Sequence, residues 1–564
     1  MDDMTATESR TGAQILVDQL RIHGSDLAFC VPGESFLAVL DALYDAREEI
    51  RLITCRHEAN AANMAEAHGK LTGRPGICLV TRGPGAAHAS VGLHTAFQDS
   101  TPLLLFIGQV QREALGREAF QEMDYRHFFS EMSKWVCEIH DAARIPELLS
   151  QAFHVATTGR PGPVVITLPQ DMLLDVCDVP DARCYQVPQP APTTENIGRI
   201  AELLQTSRKP LVVVGGSRWS EQVRAHTETF AAQWNLPVIT SFRCQDHFDN
   251  YHPKYAGELG ISCNPKLAAR VQDADLLLVL GARLGETTTS GYSLVKIPVP
   301  QQTLIHAHSG AEELGRVYQG DLLINSAMEP LTQALAGLPT PETVAWSDWT
   351  KAARDDYLAY LKPFPVSGDL NFGAVLTHLR ETLPDAIVTN GAGLHTAWGH
   401  RFWRFKNFPS QLGPTSGAMA YGFPAAISAK LLYPQREVVC LAGDGCFLMA
   451  GSELATAVQY GVNLIMLVVN NGMFGTIRVH QERDFPGRVH GTSIQNPDFA
   501  AYARAFGAHG EQIRRTEEFP EALERARRAN KPALIELLVD PESTSMKASL
   551  SQIRQNALER QRTA

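Results

Sequence analysis

Short apolar runs alternate with amphipathic helical stretches along the whole chain. Many of the runs are rich in β-branched residues and end in glycine-containing turns, as in GICLVTRGPG, DLLLVLGAR and VVCLAGDG. This alternation is typical of strand–helix–strand units, which build parallel sheets. Because the runs fall into three groups, one in each third of the chain, we predict an α/β fold of three doubly wound parallel-sheet domains.

Two segments that lack this alternation separate the groups. The segment QVPQPAPTTEN at 186–196 is rich in proline and polar residues, as linkers are, and 337–369 combines LPTPET, a polar helical stretch and KPFPVSGD. The predicted divisions of the chain are a first domain at 1–185, a central domain at 197–340, a third domain at 365–545 and a C-terminal tail at 546–564.

Composition narrows the class of protein. Of the 564 residues, 44% are apolar and 20% are charged, and the net charge of −11 argues against a nucleic-acid-binding protein. No apolar run approaches the ~18 residues of a membrane span, and the polar, acidic start MDDMTATESR lacks the pattern of a signal peptide. The ten cysteines show no metal-binding spacing. We therefore expect a cytoplasmic protein in a reducing compartment.

The strongest chemical signal lies in the last third of the chain. Asp444 follows the run VVCLAG, and Asn471 ends the run LIMLVVNN 27 positions later, a spacing that fits one strand–helix–strand crossover. Because a right-handed crossover returns the second strand beside the first, we expect both side chains at one edge of a sheet. Carboxylate and amide oxygens suit Mg²⁺, which completes its shell with water and phosphate oxygens. The pair therefore predicts a magnesium site that also takes a diphosphate.

Several longer segments then identify a family. GDGCFLM followed by NNGMFG resembles the thiamine-diphosphate motif, and RHEANAANMAEAHGKLTG, TRGPGAAHASVGLHTAFQDSTPLLLFIGQV and SGAMAYGFPAAISA resemble the acetolactate synthase group. The resemblance extends over nearly the whole chain. It implies that the first domain binds the pyrimidine of thiamine diphosphate and that the third binds its diphosphate with Mg²⁺. It also implies at least a homodimer, with a homotetramer as the expected assembly, because cofactor sites of this family are shared between two chains.

The resemblance assigns roles to single residues. Glu58 matches the glutamate that contacts the aminopyrimidine ring and favours the tautomer that takes the proton from thiazolium C2. Met419 matches the bulky residue that keeps the cofactor bent, and the Gly417 carbonyl should accept from the pyrimidine amino group. The residues implied to line the diphosphate are Gly391, Gly393, His395, Gly445 and Cys446. Those implied to bind Mg²⁺ are Asp444 and Asn471 through their side chains and Met473 through its backbone oxygen.

Two residues of the first domain are further catalytic candidates. Glu34, in VPGES, stands where enzymes that resemble pyruvate decarboxylase carry an acidic residue near the reacting carbon, whereas acetolactate synthases usually carry glycine. Gln121, in AFQEMD, matches a glutamine found near the cofactor in acetolactate synthases. The paired histidines of the decarboxylases are missing from the matching turn, which holds His88 alone. These residues leave ligation and aldehyde release as two open outcomes.

Other positions depart from the acetolactate synthase pattern. His480 stands nine positions after Asn471, where biosynthetic enzymes of this group carry the tryptophan that selects the acceptor oxo acid. In the central domain, DLLLVLGAR with Arg283 resembles the strand and turn that touch FAD or ADP in relatives, but TLIHAHSG lacks the acidic residue that usually holds a ribose. FAD binding stays an open alternative. The basic C-terminal tail is interpreted either as a solvated helix or as a lid over the active site.

The implied activity is that of a carboligase resembling acetolactate synthase, which decarboxylates a 2-oxo acid and joins the remaining fragment to a carbonyl acceptor. A 2-oxo acid decarboxylase or carbon–carbon lyase that releases an aldehyde, with Glu34 as proton donor, is the alternative. A non-catalytic binding relative is a third hypothesis, against which the intact Glu58, Asp444 and Asn471 argue. The expected partners are small molecules, with no nucleic acid and no membrane.

Overall fold

The computed structural model describes residues 9–563. The chain divides into two compact units, the first ending at Pro188 and the second beginning at Gln189, inside the proline-rich segment. The first unit contains one six-stranded sheet and the second contains two, and the strands of all three sheets pair in parallel. The prediction of three parallel α/β sheets is confirmed.

The first unit has helices on both faces of its sheet. In chain order its parallel strands are Leu27–Cys30, Arg51–Thr54, Gly76–Val80, Leu103–Gln109, Trp135–Glu138 and Pro163–Pro169. Its α-helices are Gly12–Ile22, Leu37–Asp45, Glu58–Thr72, Gly83–Asp99, Tyr125–Phe129 and Ile145–Thr157. A separate antiparallel pair joins Arg10–Thr11 to Val176–Cys177. The central strands are buried along their whole length, as expected for strands covered by helices on both faces.

The first sheet of the second unit forms the central domain. Its strands are Pro210–Val214, Val238–Thr240, Tyr255–Glu258, Leu276–Leu280, Thr303–His308 and Leu322–Asn325. Its helices are Thr194–Thr206, Glu221–Gln233, Pro265–Asp273, Met328–Ala336 and Ser347–Tyr360. The last of these helices lies in the segment that we interpreted as a connector. Trp346 and Tyr357 belong to the apolar core beneath the sheet, so this segment is packed against the domain.

The second sheet of this unit forms the C-terminal domain. Its strands are Ile387–Asn390, Gln411–Leu412, Val438–Gly443, Ile465–Asn470, His509–Ile513 and Ala533–Leu538. Its helices are Phe372–Thr382, Leu394–Phe402, Gly422–Leu432, Asp444–Leu448, Leu454–Gln459, Gly475–Asp484, Phe499–Ala505, Phe519–Arg528 and Leu550–Thr563. The last helix is the predicted tail. It packs against Gly475–Asp484 and buries Leu550 and Ala557, so it is not simply solvated.

Strand order shows where ligands bind in these sheets. When strands are numbered along the chain within each sheet, the first and third sheets both have the order 2-1-3-4-6-5, and the central sheet has 3-2-1-4-5-6. In open α/β sheets, ligands bind at the carboxyl ends of strands where the order reverses. In the third sheet that point lies between Ile387–Asn390 and Val438–Gly443, and in the first it lies between Leu27–Cys30 and Gly76–Val80. The turns with Glu34, Gly83, Gly391 and Asp444 follow these four strands, and Glu58 and Asn471 follow the neighbouring strands Arg51–Thr54 and Ile465–Asn470.

Within residues 9–563, no helix is both long and apolar enough to cross a membrane.

Candidate active site

The carboxyl ends of two neighbouring strands bring the predicted metal ligands together. Gly443 pairs in register with Val469, so Asp444 directly follows one strand while Asn470 ends the next and Asn471 follows it. Asp444 also begins the short helix Asp444–Leu448, where an acidic side chain is favourable. The arrangement agrees with the crossover geometry that the spacing predicts.

The Asp444 carboxylate is buried, with 3% of the residue exposed. Its Oδ1 accepts from the Gly445 N–H at 2.8 Å, and its Oδ2 accepts from the Gly472 N–H at 2.9 Å and from Asn496 Nδ2 at 2.8 Å. Burial raises the pKa of Asp444 despite these three donors. A carboxylate whose charged form is disfavoured by burial is stabilised by a nearby cation, so this residue fits a metal ligand.

The amide of Asn471 lies at the start of a tight turn. Its Oδ1 accepts from the Met473 N–H at 3.2 Å, and its Nδ2 donates to Thr544 Oγ1 at 3.1 Å. A carboxylate, an amide oxygen and backbone carbonyls form a hard oxygen donor set, which is the chemistry that Mg²⁺ prefers.

These residues open on a cavity of about 290 Å³ in the C-terminal domain. Nine of the predicted cofactor or metal residues line it, namely Gly393, His395, Gly417, Met419, Asp444, Gly445, Cys446, Asn471 and Met473. Gly391 stands behind the lining, because a Cβ on it would lie 2.5 Å from the Cys446 sulfur. The structure thus brings the residues that we predicted for the third domain to one place.

Two glycines at this cavity lie close to the His395 ring. A Cβ on Gly393 would lie 2.8 Å from the His395 ring, and one on Gly443 would lie 3.0 Å from it. Gly393 also has a φ of 134°, which side-chain-bearing residues rarely adopt. Glycine here lets the backbone pack against the His395 ring at the start of the helix Leu394–Phe402. The N–H groups at a helix start suit a phosphate, so this cradle fits a diphosphate.

His395 is buried at this cradle and is neutral at physiological pH. Burial and, secondarily, the positive charge of Arg243 lower the pKa of His395 to about 3. A neutral imidazole offers one donor and one acceptor to a ligand rather than a charge.

Arg243 is a residue of this region that the sequence reasoning missed. It comes from the central domain, is 6% exposed, and its Nη2 donates to the Gly391 carbonyl at 2.7 Å while its Nη1 donates to the Pro414 carbonyl at 2.5 Å. It thereby ties the turn after Ile387–Asn390 to the loop before Gly417. A single arginine in TSFRCQD gives no signal of such a role in the sequence.

Asn496 is the second residue that was missed. Its Nδ2 donates to Asp444 and also to Asn470 Oδ1 at 2.9 Å, so it links the ends of the two strands. It lies in a loop without apolar periodicity, where only proximity in space reveals its role.

In the first unit, Glu58 begins the helix Glu58–Thr72 just after the strand Arg51–Thr54. Its side chain is 13% exposed. Its Oε2 lies 2.9 Å from His88 Nδ1, and its Oε1 lies 3.4 Å from the place where a Cβ on Gly85 would stand. Glu58 thus faces the glycine turn that begins the helix Gly83–Asp99.

Glu34 and Gln121 meet the same turn. Arg82 Nη2 donates to Glu34 Oε1 at 2.9 Å, and the Gly83 N–H donates to the Gln121 carbonyl at 3.0 Å. The Glu34 side chain is 72% exposed, whereas that of Arg82 is 9% exposed. The three catalytic candidates of the first domain therefore converge on one sheet edge, and Arg82 is a further residue there that the sequence reasoning did not single out.

The remaining candidates lie elsewhere. His480 is on the helix Gly475–Asp484, where its Nδ1 contacts Arg483 Nη2 at 2.8 Å. In the central domain, Arg283 lines a cavity of about 100 Å³ and its Nε donates to Glu313 Oε2 at 3.3 Å. The cavity is small beside the ~300 Å³ of ordinary ligand pockets, and FAD binding stays an open alternative.

Comparisons with known proteins agree with this geometry. Family models of the thiamine pyrophosphate enzymes match residues 10–128 as the N-terminal TPP binding domain, 197–335 as the central domain and 391–537 as the C-terminal TPP binding domain. The chain belongs to the thiamine pyrophosphate enzyme family. Its three sheets correspond to the three domains of that family, and the two matched TPP binding domains support thiamine diphosphate as cofactor.

Curated relatives refine the branch within the family. The chain is 32% identical to an acetolactate synthase large subunit of Parasynechococcus marenigrum over 95% of this chain and 89% of the relative. It is 32% identical to the acetolactate synthase large subunit of Corynebacterium glutamicum over 95% and 87%, and 30% identical to acetolactate synthase isozyme 2 large subunit of Escherichia coli over 94% and 95%. This thiamine pyrophosphate enzyme is acetolactate synthase-like, as the sequence segments predicted.

Proposed function

We propose that this thiamine pyrophosphate enzyme is a Mg²⁺-dependent carboligase that decarboxylates a 2-oxo acid and joins the remaining fragment to a carbonyl acceptor. The observation that carries the proposal is the pair Asp444 and Asn471, which follow adjacent strand ends and line one cavity with the other cofactor candidates. The acetolactate synthase-like sequence favours ligation over other uses of the same cofactor.

In this proposal the C-terminal domain holds the diphosphate end of the cofactor. Asp444, Asn471 and the Met473 carbonyl bind Mg²⁺, and the burial of the Asp444 carboxylate supports this role. The residues proposed to line the diphosphate are Gly391, Gly393, His395, Gly445 and Cys446. Met419 supports the bent cofactor, and the Gly417 carbonyl accepts from the pyrimidine amino group.

Bound thiamine diphosphate supplies a nucleophilic carbon and an electron acceptor for decarboxylation. The chain's own contribution is to bind, orient and move protons. Glu58, whose side chain is mostly buried, would contact the aminopyrimidine nitrogen and exchange a proton with it. Gln121 lies at the same turn as Glu58 and is proposed to contact the substrate side of the site.

A second candidate function is a decarboxylase or carbon–carbon lyase that releases an aldehyde. The observation that favours it is Glu34, an acid at the same sheet edge as Glu58 where acetolactate synthases usually carry glycine. An acidic group there would supply the proton that completes aldehyde release.

We propose at least a homodimer, with a homotetramer as the expected assembly, and small molecules as the only substrates. Leu448 and Met449, at the end of the helix that Asp444 begins, are 42% and 53% exposed, and such apolar side chains beside the site support a subunit interface. We place the protein in the cytoplasm, because all ten cysteines are free. Light scattering of the purified protein tests the assembly.

The function is tested by product analysis with the purified protein, thiamine diphosphate, Mg²⁺ and a panel of 2-oxo acids that includes pyruvate. The leading proposal expects acetolactate from pyruvate or the corresponding hydroxy-ketone acid from a larger substrate, whereas aldehyde alone supports the second function. Glu58→Gln should abolish turnover while it largely preserves cofactor binding. Near-normal turnover in that variant would refute the role of Glu58.

A further inference from the structure

A histidine contacts the carboxylate that we assign to the aminopyrimidine. His88 lies in the second turn of the helix Gly83–Asp99, and its Nδ1 is 2.9 Å from Glu58 Oε2. Its ring stacks on that of His57, with centroids 4.6 Å apart and an angle of 29° between the planes. The stacking and the hydrogen bond fix the orientation of the imidazole relative to the carboxylate.

The two oxygens of Glu58 have different surroundings. His88 occupies Oε2, whereas Oε1 faces Gly85, which lacks the side chain that would close this side. A free glutamate side chain rotates among several rotamers, and ordering it costs conformational entropy. A partner that already holds one oxygen reduces this cost when the other oxygen meets a ligand.

We propose that His88 is a positioning residue for Glu58: it holds Oε2 and thereby turns Oε1 towards the aminopyrimidine nitrogen. This inference rests on the proposed function, which assigns the pyrimidine to Glu58. Imidazole suits the task because an Nδ1–H can donate to Oε2 of the ionised carboxylate and equally to Oε2 as the carbonyl oxygen of a carboxyl group that is protonated at Oε1. The contact therefore persists while Glu58 gains and loses a proton.

His57, Glu58 and His88 are also close enough to one another to hold a metal ion. The stacked rings disfavour it, because in nearly parallel imidazoles the nitrogen lone pairs point side by side rather than towards one centre. In addition, His57 Nδ1 accepts from the Ala59 N–H at 3.1 Å and caps the helix that Glu58 begins. The cluster is therefore better explained by the positioning of Glu58.

The test measures exchange of the C2 proton of bound thiamine diphosphate with D2O, without substrate, together with cofactor affinity and the unfolding temperature of the cofactor-free protein. His88→Ala should slow exchange about 10- to 100-fold, the range expected for loss of one hydrogen bond to a charged group. His94→Ala is the matched control, because His94 is exposed on the same helix, and it should change exchange less than about twofold. Exchange within twofold of wild type in His88→Ala overturns the proposal.

A conservative variant and a double mutant separate positioning from a general effect on folding. His88→Gln, whose amide can donate to Oε2, should exchange at least fivefold faster than His88→Ala at an equal unfolding temperature. In a Glu58→Gln background, His88→Ala should cause no further slowing, because its effect passes through the carboxylate. Equal slowing in both backgrounds, or no recovery with Gln, contradicts the role.

These readouts also separate the two proposals. If the wild-type protein exchanges the C2 proton but converts no 2-oxo acid, the proposed function fails while the exchange rates of the variants still decide the role of His88. If the wild-type protein does not bind thiamine diphosphate, both proposals are wrong.

Discussion

One buried carboxylate joins the C-terminal helix Leu550–Thr563 to the helix Gly475–Asp484. The Glu482 side chain is fully buried, and Arg554 donates to its two oxygens at 2.7 and 2.5 Å. Arg478 Nε donates to Oε1 at 2.9 Å. Residues 476 and 477 of the same helix line the cofactor cavity, so the tail is attached to a wall of the candidate site.

The contacts of Glu482 indicate the free energy by which the tail is attached. The hydrogen bonds from Arg554 are the largest cause that lowers the pKa of Glu482 from 4.5 to about 2. At about 1.4 kcal/mol per pH unit this difference corresponds to about 3 kcal/mol. Hydrogen bonds from Arg478 and from the Gly487 N–H account for part of this free energy. Because the Arg554 side chain is also 38% exposed, solvent screens its charge, and we assign about 2 kcal/mol to Arg554.

Arg554→Ala should therefore increase local opening of residues 550–563 about 30-fold, and amide hydrogen exchange followed by mass spectrometry measures this opening. Arg562→Ala is the control on the same helix, because Arg562 is exposed near the helix end and its loss should leave exchange of the other residues unchanged. Since the pKa of Glu482 is lowered on folding, its contribution is complete above about pH 4.5 and is lost as the pH falls towards 2. The difference between variant and wild type should thus be constant from pH 6 to 8. Equal exchange in Arg554→Ala and wild type would refute this account of the tail.

Three further predictions concern the site. Gly445→Ala should weaken cofactor binding about tenfold or more in calorimetry, because the new Cβ would lie 2.7 Å from the Phe474 ring. Gly198→Ala is the control, because a Cβ there would have no atom within 4 Å, and it should bind the cofactor normally. Equal cofactor affinities of the two variants would contradict the clash. His395→Gln should reduce the loss of unfolding free energy between pH 6.5 and 5, because the pKa of His395 drops to about 3 on folding and the unfolded chain takes up the proton first. Urea unfolding at both pH values measures this loss, and the same loss in variant and wild type would contradict the prediction. Glu34→Ala should shift products from aldehyde towards ligation if this acid donates the proton, and an unchanged product ratio by chromatography removes it from that role.

The interior strands were predictable from the sequence and most of the edge strands were not. The runs GICLVTRGPG, DLLLVLGAR, VVCLAGDG and LIMLVVNN all contain strands. Five strands of the three parallel sheets were not predicted, namely Trp135–Glu138, Tyr255–Glu258, Leu322–Asn325, Gln411–Leu412 and His509–Ile513. All five lie at sheet edges. An edge strand of a parallel sheet packs on fewer neighbours and is often short or partly exposed, as Leu322–Asn325 is, so it lacks the continuous apolar run of a buried strand.

The same contrast holds for the candidate site. Asp444, Asn471 and the glycine turns follow directly from strand ends, and local motifs mark them. Arg243 and Asn496 reach the site from a different domain and from an irregular loop, so only the folded chain brings them near. Motif reasoning finds residues that the backbone positions locally, and it misses those that long-range packing supplies.

The central claim is that Asp444 holds thiamine diphosphate through Mg²⁺, and titration calorimetry of the cofactor with Mg²⁺ or with EDTA tests it most directly. The account predicts tight binding only with Mg²⁺ in the wild type and in the surface control Asp484→Ala, whose carboxylate pairs with Arg483. It predicts at least 100-fold weaker, metal-independent binding in Asp444→Ala, as expected for loss of about 3 kcal/mol of charge-assisted contact. Tight binding that is indifferent to both EDTA and the loss of Asp444 would contradict it.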